Sequence, residues 1–150
     1  MIEFARHVLG YADANSTEMD LQTTHPVISM MEEQKMSTMK GATMRLGAAI
    51  CHLAQGSLIR SIYNQDTISE RHRHRYEFNG TYEKEFESHG MNLVGRHPVS
   101  HLVEAVEIPT HPWFIGVQYH PEFQSKPHQP HPLFVGFVKA GIDFQNKSQK

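Results

Sequence analysis

A single cysteine, Cys51, stands in the 150 residues, so no disulfide can close within the chain. One unpaired thiol suits a reducing cytoplasm. Long apolar runs are missing as well. None approaches the roughly 18 residues of a membrane span. There is no excess of one charge: 14 basic and 16 acidic residues leave a formal charge of −2. That balance offers no general attraction for nucleic acid or membrane. The opening MIEFARHVLGYADA is no signal peptide, because it carries an acid at position 3 and no continuous apolar stretch. Repeats and low-complexity linkers are also absent. A soluble, cytoplasmic, globular protein of one domain's length is what remains.

Hydrophobic spacing then places the elements. Ile2, Ala5, Val8 and Leu9 fall on one face of a helix over residues 1–9, with Gly10 as its stop. Met1 opens that helix with no capping residue. Residues 11–43 read as loop, apart from a short strand at Val27–Met31. Thr43–Gln55 has strand character, with Met44, Leu46, Ala48 and Ile50 alternating. A short helix is predicted over Leu58–Tyr63, an extended stretch over Thr67–Phe78, and a helix over Gly80–His89 with Tyr82 and Phe86 at i,i+4. Met91–Arg96 and Leu102–Ile108 read as strands. Trp113–Tyr119 is apolar except for Gln118, as expected of a strand buried on both faces. A last amphipathic helix covers Pro132–Phe144, with Phe134, Phe137, Val138 and Ile142 as its buried face, and residues 145–150 form a frayed tail. The mixture is α/β or α+β in one layered domain.

The sharpest chemical signal is VQYHPEF at 117–123. In an extended segment, side chains two apart share a side. Pro121 biases His120 toward extended backbone. His120 and Glu122 are therefore expected together at a strand end, as a base and the carboxylate that orients it. Cys51, in GAAICHLAQ, lacks the glycine-flanked turn that a catalytic thiol needs on such folds and reads as a small buried residue. In ERHRHRY at 70–76, Arg71, Arg73 and Arg75 share one side of a strand and His72 and His74 the other. The arginines could fork onto a carboxylate or guard a solvated edge. Two histidines are too few for a metal site, so no metal is expected.

Six segments in order carry a resemblance: ANSTE at 14–18, EEQK at 32–35, GATMRLGA at 41–48, ERHRHRYEFN at 70–79, HPWFIGVQYHPEFQSKP at 111–127 and HPLFVGFVKA at 131–140. Together the chain resembles the glutamine amidotransferase domain of the CTP synthase family over residues 2–140. HPEF is shared by triad-type amidotransferases in general, whereas ERHRHRYE with ANSTE and TMRLG is particular to this family. The resemblance implies a flavodoxin-like α/β fold with a Cys-His-Glu triad that hydrolyses glutamine. It implies that ammonia passes to a synthetase domain, which uses ATP and Mg to convert UTP to CTP. His120 matches the catalytic histidine and Glu122 the triad acid, while Glu18 and Arg75 match residues that contact glutamine. The expected part is the C-terminal one (residues 1–144), without the nucleophile elbow, the oxyanion glycines, the first strands or the synthetase domain. An isolated chain of this kind is expected to be inactive, and to be poorly stable or self-associating because an apolar edge and face are exposed. The family's homotetramer assembles through the absent domain. The runner-up reading is a noncatalytic amidotransferase-like remnant that binds a partner.

Overall fold

The computed structural model describes residues 1–30 and 44–148. EEQK and the Met-spotted connection between Met31 and Gly41 lie outside the described residues. The chain divides into two compact units, one of Met1–Leu46 with Arg73–Met91, the other of Gly47–His72 with Asn92–Lys150.

The first unit holds helix α1 (Ile2–His7) and a three-stranded sheet ordered β1 (Asn15–Ser16), β2 (Pro26–Ser29), β5 (Glu77–Phe78). β1 and β2 are parallel, and β2 and β5 antiparallel. A 3-10 turn at Gly80–Tyr82 runs into helix α3 (Glu83–Ser88), and Gly90, at φ +95°, follows it in the left-handed region that favours glycine. The buried centre is Phe86, whose ring stacks on Phe4 at 5.3 Å and meets Phe78 edge-on at 5.0 Å. The apolar face expected on α1 is thus only partly used. Ala5 is fully buried, but Val8 is exposed, and Phe4 makes the ring contact.

The second unit is built on a five-stranded sheet ordered β4 (Thr67–His74), β3 (Arg45–Leu53), β6 (Asn92–Arg96), β7 (Val103–Glu107), β8 (Ile115–Val117), with β3–β6, β6–β7 and β7–β8 antiparallel. The first residues of β3 and the last of β4 belong to the other unit. Helices α2 (Leu58–Tyr63) and α4 (Pro132–Ser148) pack on each other. The core gathers Cys51, Leu53, Ile59, Ile68, Val94, Ala105, Tyr119 and Leu133. Gly95 is required at its centre: a Cβ there would sit 2.7 Å from the Ala105 Cβ and 2.9 Å from the Cys51 Sγ. α2 forms where predicted because its first N–H groups are met. Ser57 Oγ accepts from the Arg60 N–H at 3.3 Å, and the buried Glu107 carboxylate accepts from the Leu58 and Ile59 N–H groups at 3.1 and 2.5 Å.

Three expectations are corrected. On β3 the buried side is Cys51 and Leu53, whereas Met44, Leu46 and Ile50 are exposed, so the alternation is real but faces the other way. β8 is shorter than the apolar run, half-buried along its length and last in the strand order. α4 continues through Ser148 instead of stopping at Phe144. It buries Leu133 and leaves Phe134, Phe137, Val138 and Ile142 exposed.

Candidate active site

After β8 the chain turns sharply. Tyr119 is buried, and the His120 N–H donates to the Arg71 carbonyl of β4 at 2.9 Å. Pro121–Phe123 then form a 3-10 turn, with proline at the first position where its missing N–H costs nothing. The turn folds Glu122 back so that its Oε1 lies 2.7 Å from His120 Nδ1. The sequence pairs these residues correctly, but a tight turn brings them together instead of the alternation of a strand. Phe123 stacks on the imidazole, with ring centres 4.9 Å apart.

The electrostatics assign the proton. The Glu122 backbone N–H and the hydrogen bond from His120 hold the Glu122 carboxyl below the usual carboxylate range. An ionised carboxylate only accepts, so Nδ1 carries the hydrogen and Nε2 keeps its lone pair. The His120 and Glu122 side chains are 38% and 55% exposed, so a substrate can reach them.

Strand β4 places its charges as its alternation predicts. Arg71 and Arg73 are exposed, whereas Glu70 and His72 are buried. His72 Nε2 lies 3.1 Å from Glu104 Oε2 with both side chains fully buried, and His74 Nδ1 lies 3.4 Å from Glu77 Oε1. These histidines face internal carboxylates. Among the described residues no group of three or more His, Cys, Asp or Glu gathers to hold a metal. Cys51 is fully buried in the core.

Glu18 sits on a turn of the first unit. The Ser16 carbonyl accepts from the Met19 and Asp20 N–H groups, and Ser16 Oγ accepts from the Glu18 N–H at 3.2 Å. That turn hangs from a clasp in which the Asp13 carboxylate accepts from the Thr24 N–H (2.7 Å), the Thr24 hydroxyl (2.6 Å) and His25 Nδ1 (2.6 Å). Arg75 lies between β4 and β5 in the same unit, and both it and Glu18 are exposed. His120 and Glu122 belong to the second unit.

One cluster escapes the sequence. Glu70 Oε1 accepts from Tyr63 and His131 at 2.8 Å each, and Oε2 accepts from the Gln124 amide at 2.6 Å. Its only trace in the sequence is that Glu70 falls on the inward side of β4 with His72.

The class-I glutamine amidotransferase family model matches residues 2–140. A CTP synthase of Bacteroides fragilis is 61% identical over 142 residues, which is 95% of this chain and 27% of that protein. A CTP synthase of Cytophaga hutchinsonii is 58% identical over 144 residues, 96% of this chain and 27% of that protein. The chain thus spans 27% of the length of these relatives. Among solved structures, a Trypanosoma brucei CTPS glutaminase domain with bound acivicin superposes with a TM-score of 0.86 at 37% identity, over 95% of this chain and 55% of that one. A GMP synthase component from Thermoplasma acidophilum shares the fold, with a TM-score of 0.52 at 14% identity over 78% of this chain and 57% of that one. The α/β architecture expected from the sequence is therefore that of these enzymes, and the chain belongs to the class-I glutamine amidotransferase family.

Proposed function

We propose that this chain supplies the proton-transfer part of a glutaminase site, within a protein that uses the released ammonia to aminate UTP to CTP. The observation that carries the reading is the 2.7 Å bond from His120 Nδ1 to Glu122, inside the segment matched by the family model. His120 Nε2 would take the proton of the attacking thiol and return it to departing ammonia, while Glu122 stabilises the imidazolium. Glu18 and Arg75 carry the opposite charges that suit the amino and carboxylate groups of glutamine.

The nucleophile comes from outside these residues, since the one thiol is fully buried among Leu53, Val94 and Ala105. ATP and Mg serve the synthetase domain, and this chain holds no cofactor of its own. The site works in the cytoplasm, and the whole enzyme is a glutamine-hydrolysing ligase that assembles as a homotetramer.

The test is ammonia release from glutamine. The 150-residue chain alone is expected to release none. Fused behind the N-terminal remainder of the Bacteroides fragilis CTP synthase, it is expected to support hydrolysis. His120→Ala should abolish that hydrolysis and Glu122→Gln should slow it by about 10²–10⁴-fold. Release by the chain alone that Cys51→Ala removes, or a fusion indifferent to His120→Ala, would sink the reading. A fusion that folds but stays inactive would favour a noncatalytic partner-binding remnant.

A further inference from the structure

The turn that carries His120 is tied to β4 at both ends. At its start the His120 N–H donates to the Arg71 carbonyl at 2.9 Å. At its end the Gln124 side-chain amide donates to the Ser69 carbonyl at 2.9 Å and to Glu70 Oε2 at 2.6 Å. The Gln124 backbone N–H closes the turn itself onto the Pro121 carbonyl at 3.1 Å.

Glu70 is 3% exposed and is held in turn by two other elements. Tyr63 of α2 donates its hydroxyl to Oε1, and that hydroxyl lies 3.1 Å from the hydroxyl of Tyr119, the residue just before His120. His131, at the start of α4, accepts the Leu133 N–H on Nδ1 at 3.3 Å, so its Nε2 carries the hydrogen donated to Glu70. Tyr63, Glu70, His131 and Gln124 thus converge from four parts of the sequence on a turn whose two functional side chains are exposed. An exposed imidazole on a short turn is free to swing, and acid–base work needs it held within a fraction of an ångström.

We propose that Gln124 and Glu70 are positioning residues for the His120–Glu122 pair. They hold the turn closed on β4, so that Glu122 meets Nδ1 and Nε2 points outward. This rests on the reading of His120 as the acid–base group, but the geometry can be measured without any activity.

The experiment is NMR of the histidine ring nitrogens in the 150-residue chain. Wild type is expected to show Nδ1 protonated and Nε2 bare at His120. Gln124→Leu removes the amide and leaves His120, Glu122 and the Glu70–His131 bond in place. It should mix the two His120 tautomers and raise the Glu122 titration toward the ordinary carboxylate range, with far-UV circular dichroism unchanged. The double exchange Glu70→Gln with Gln124→Glu reverses the polarity of that bond and preserves net charge, so it should recover most of the tautomer preference. An unchanged His120 tautomer in folded Gln124→Leu would overturn the proposal. Loss of cooperative folding in Gln124→Leu would also overturn it, by making Gln124 a structural residue. These spectra do not depend on glutamine hydrolysis, so failure of the glutaminase reading is seen separately.

Discussion

Two turns carry the residues assigned to the glutaminase site, and each hangs from a carboxylate that accepts three hydrogen bonds. Glu70, behind the His120 turn, is 3% exposed and takes its bonds from Tyr63, His131 and Gln124. Asp13, behind the Glu18 turn, is 44% exposed and takes its bonds from Thr24 and His25. The count of bonds is the same and the surroundings are opposite. Water can replace any partner of Asp13. None can readily reach Glu70, so its donors depend on that carboxylate alone. Burial suits a turn that must hold one imidazole in one orientation. An exposed clasp suits a turn that presents a charged group to a small substrate.

The largest expected effect comes from breaking the buried side. Glu70→Leu leaves two buried donors, on Tyr63 and His131, without their acceptor and should cost about 3–5 kcal/mol in chemical unfolding. A loss of under about 1 kcal/mol, the scale of exposed pairs, would erase the contrast between the two carboxylates. A middle-sized effect separates the hub from the helix that serves it. Ser57→Ala removes the cap of α2, the helix that delivers Tyr63, and should cost about 1 kcal/mol. The Glu107 carboxylate still receives the Leu58 and Ile59 N–H groups, so the bond from Tyr63 to Glu70 should persist. A Tyr63 hydroxyl resonance that vanishes in this variant would show instead that the hub depends on the cap.

The smallest effect is expected at Asp13 and is read through pH. Hydrogen bonds from the Thr24 hydroxyl and from His25 push its carboxyl below the ordinary 3.8. A folded-state pKa below the unfolded one adds stability that is fully present above 3.8 and is lost as pH falls through the lower folded value. The clasp should therefore open only in strong acid, seen as faster exchange of the Thr24 amide. Asp13→Asn should remove that acid dependence. An unchanged acid profile in the variant would mean that another group holds the turn.

Much of this was legible from residue order, and the failures share a cause. Leu58–Tyr63 was readable as a helix because Gly56-Ser57 signals a start and the run is short and apolar. The two sides of β4 were readable because Arg71 and Arg73 differ so strongly from the residues between them. His120 and Glu122 were paired correctly, although the turn that joins them was not foreseen. β3 was turned over because Met44, Leu46 and Ile50 are larger and more apolar than Gly47 and Ala49. Size favoured one side, yet the neighbours cover the other: β6 brings Gly95 against Cys51. On α4 the same rule failed, since only Leu133 is buried and Phe134, Phe137, Val138 and Ile142 are exposed. The Glu70 hub was invisible because Tyr63, Gln124 and His131 are far from it in sequence.

Residue order by itself determined the family, the local elements and the acid–base pair, because motif identity, capping and two-residue spacing act over a few residues. Tertiary structure alone decided which side of β3 is buried, how much of α4 is covered, and which carboxylate steadies the His120 turn. Burial and long-range hydrogen bonds depend on what packs opposite a residue, and no local pattern records that.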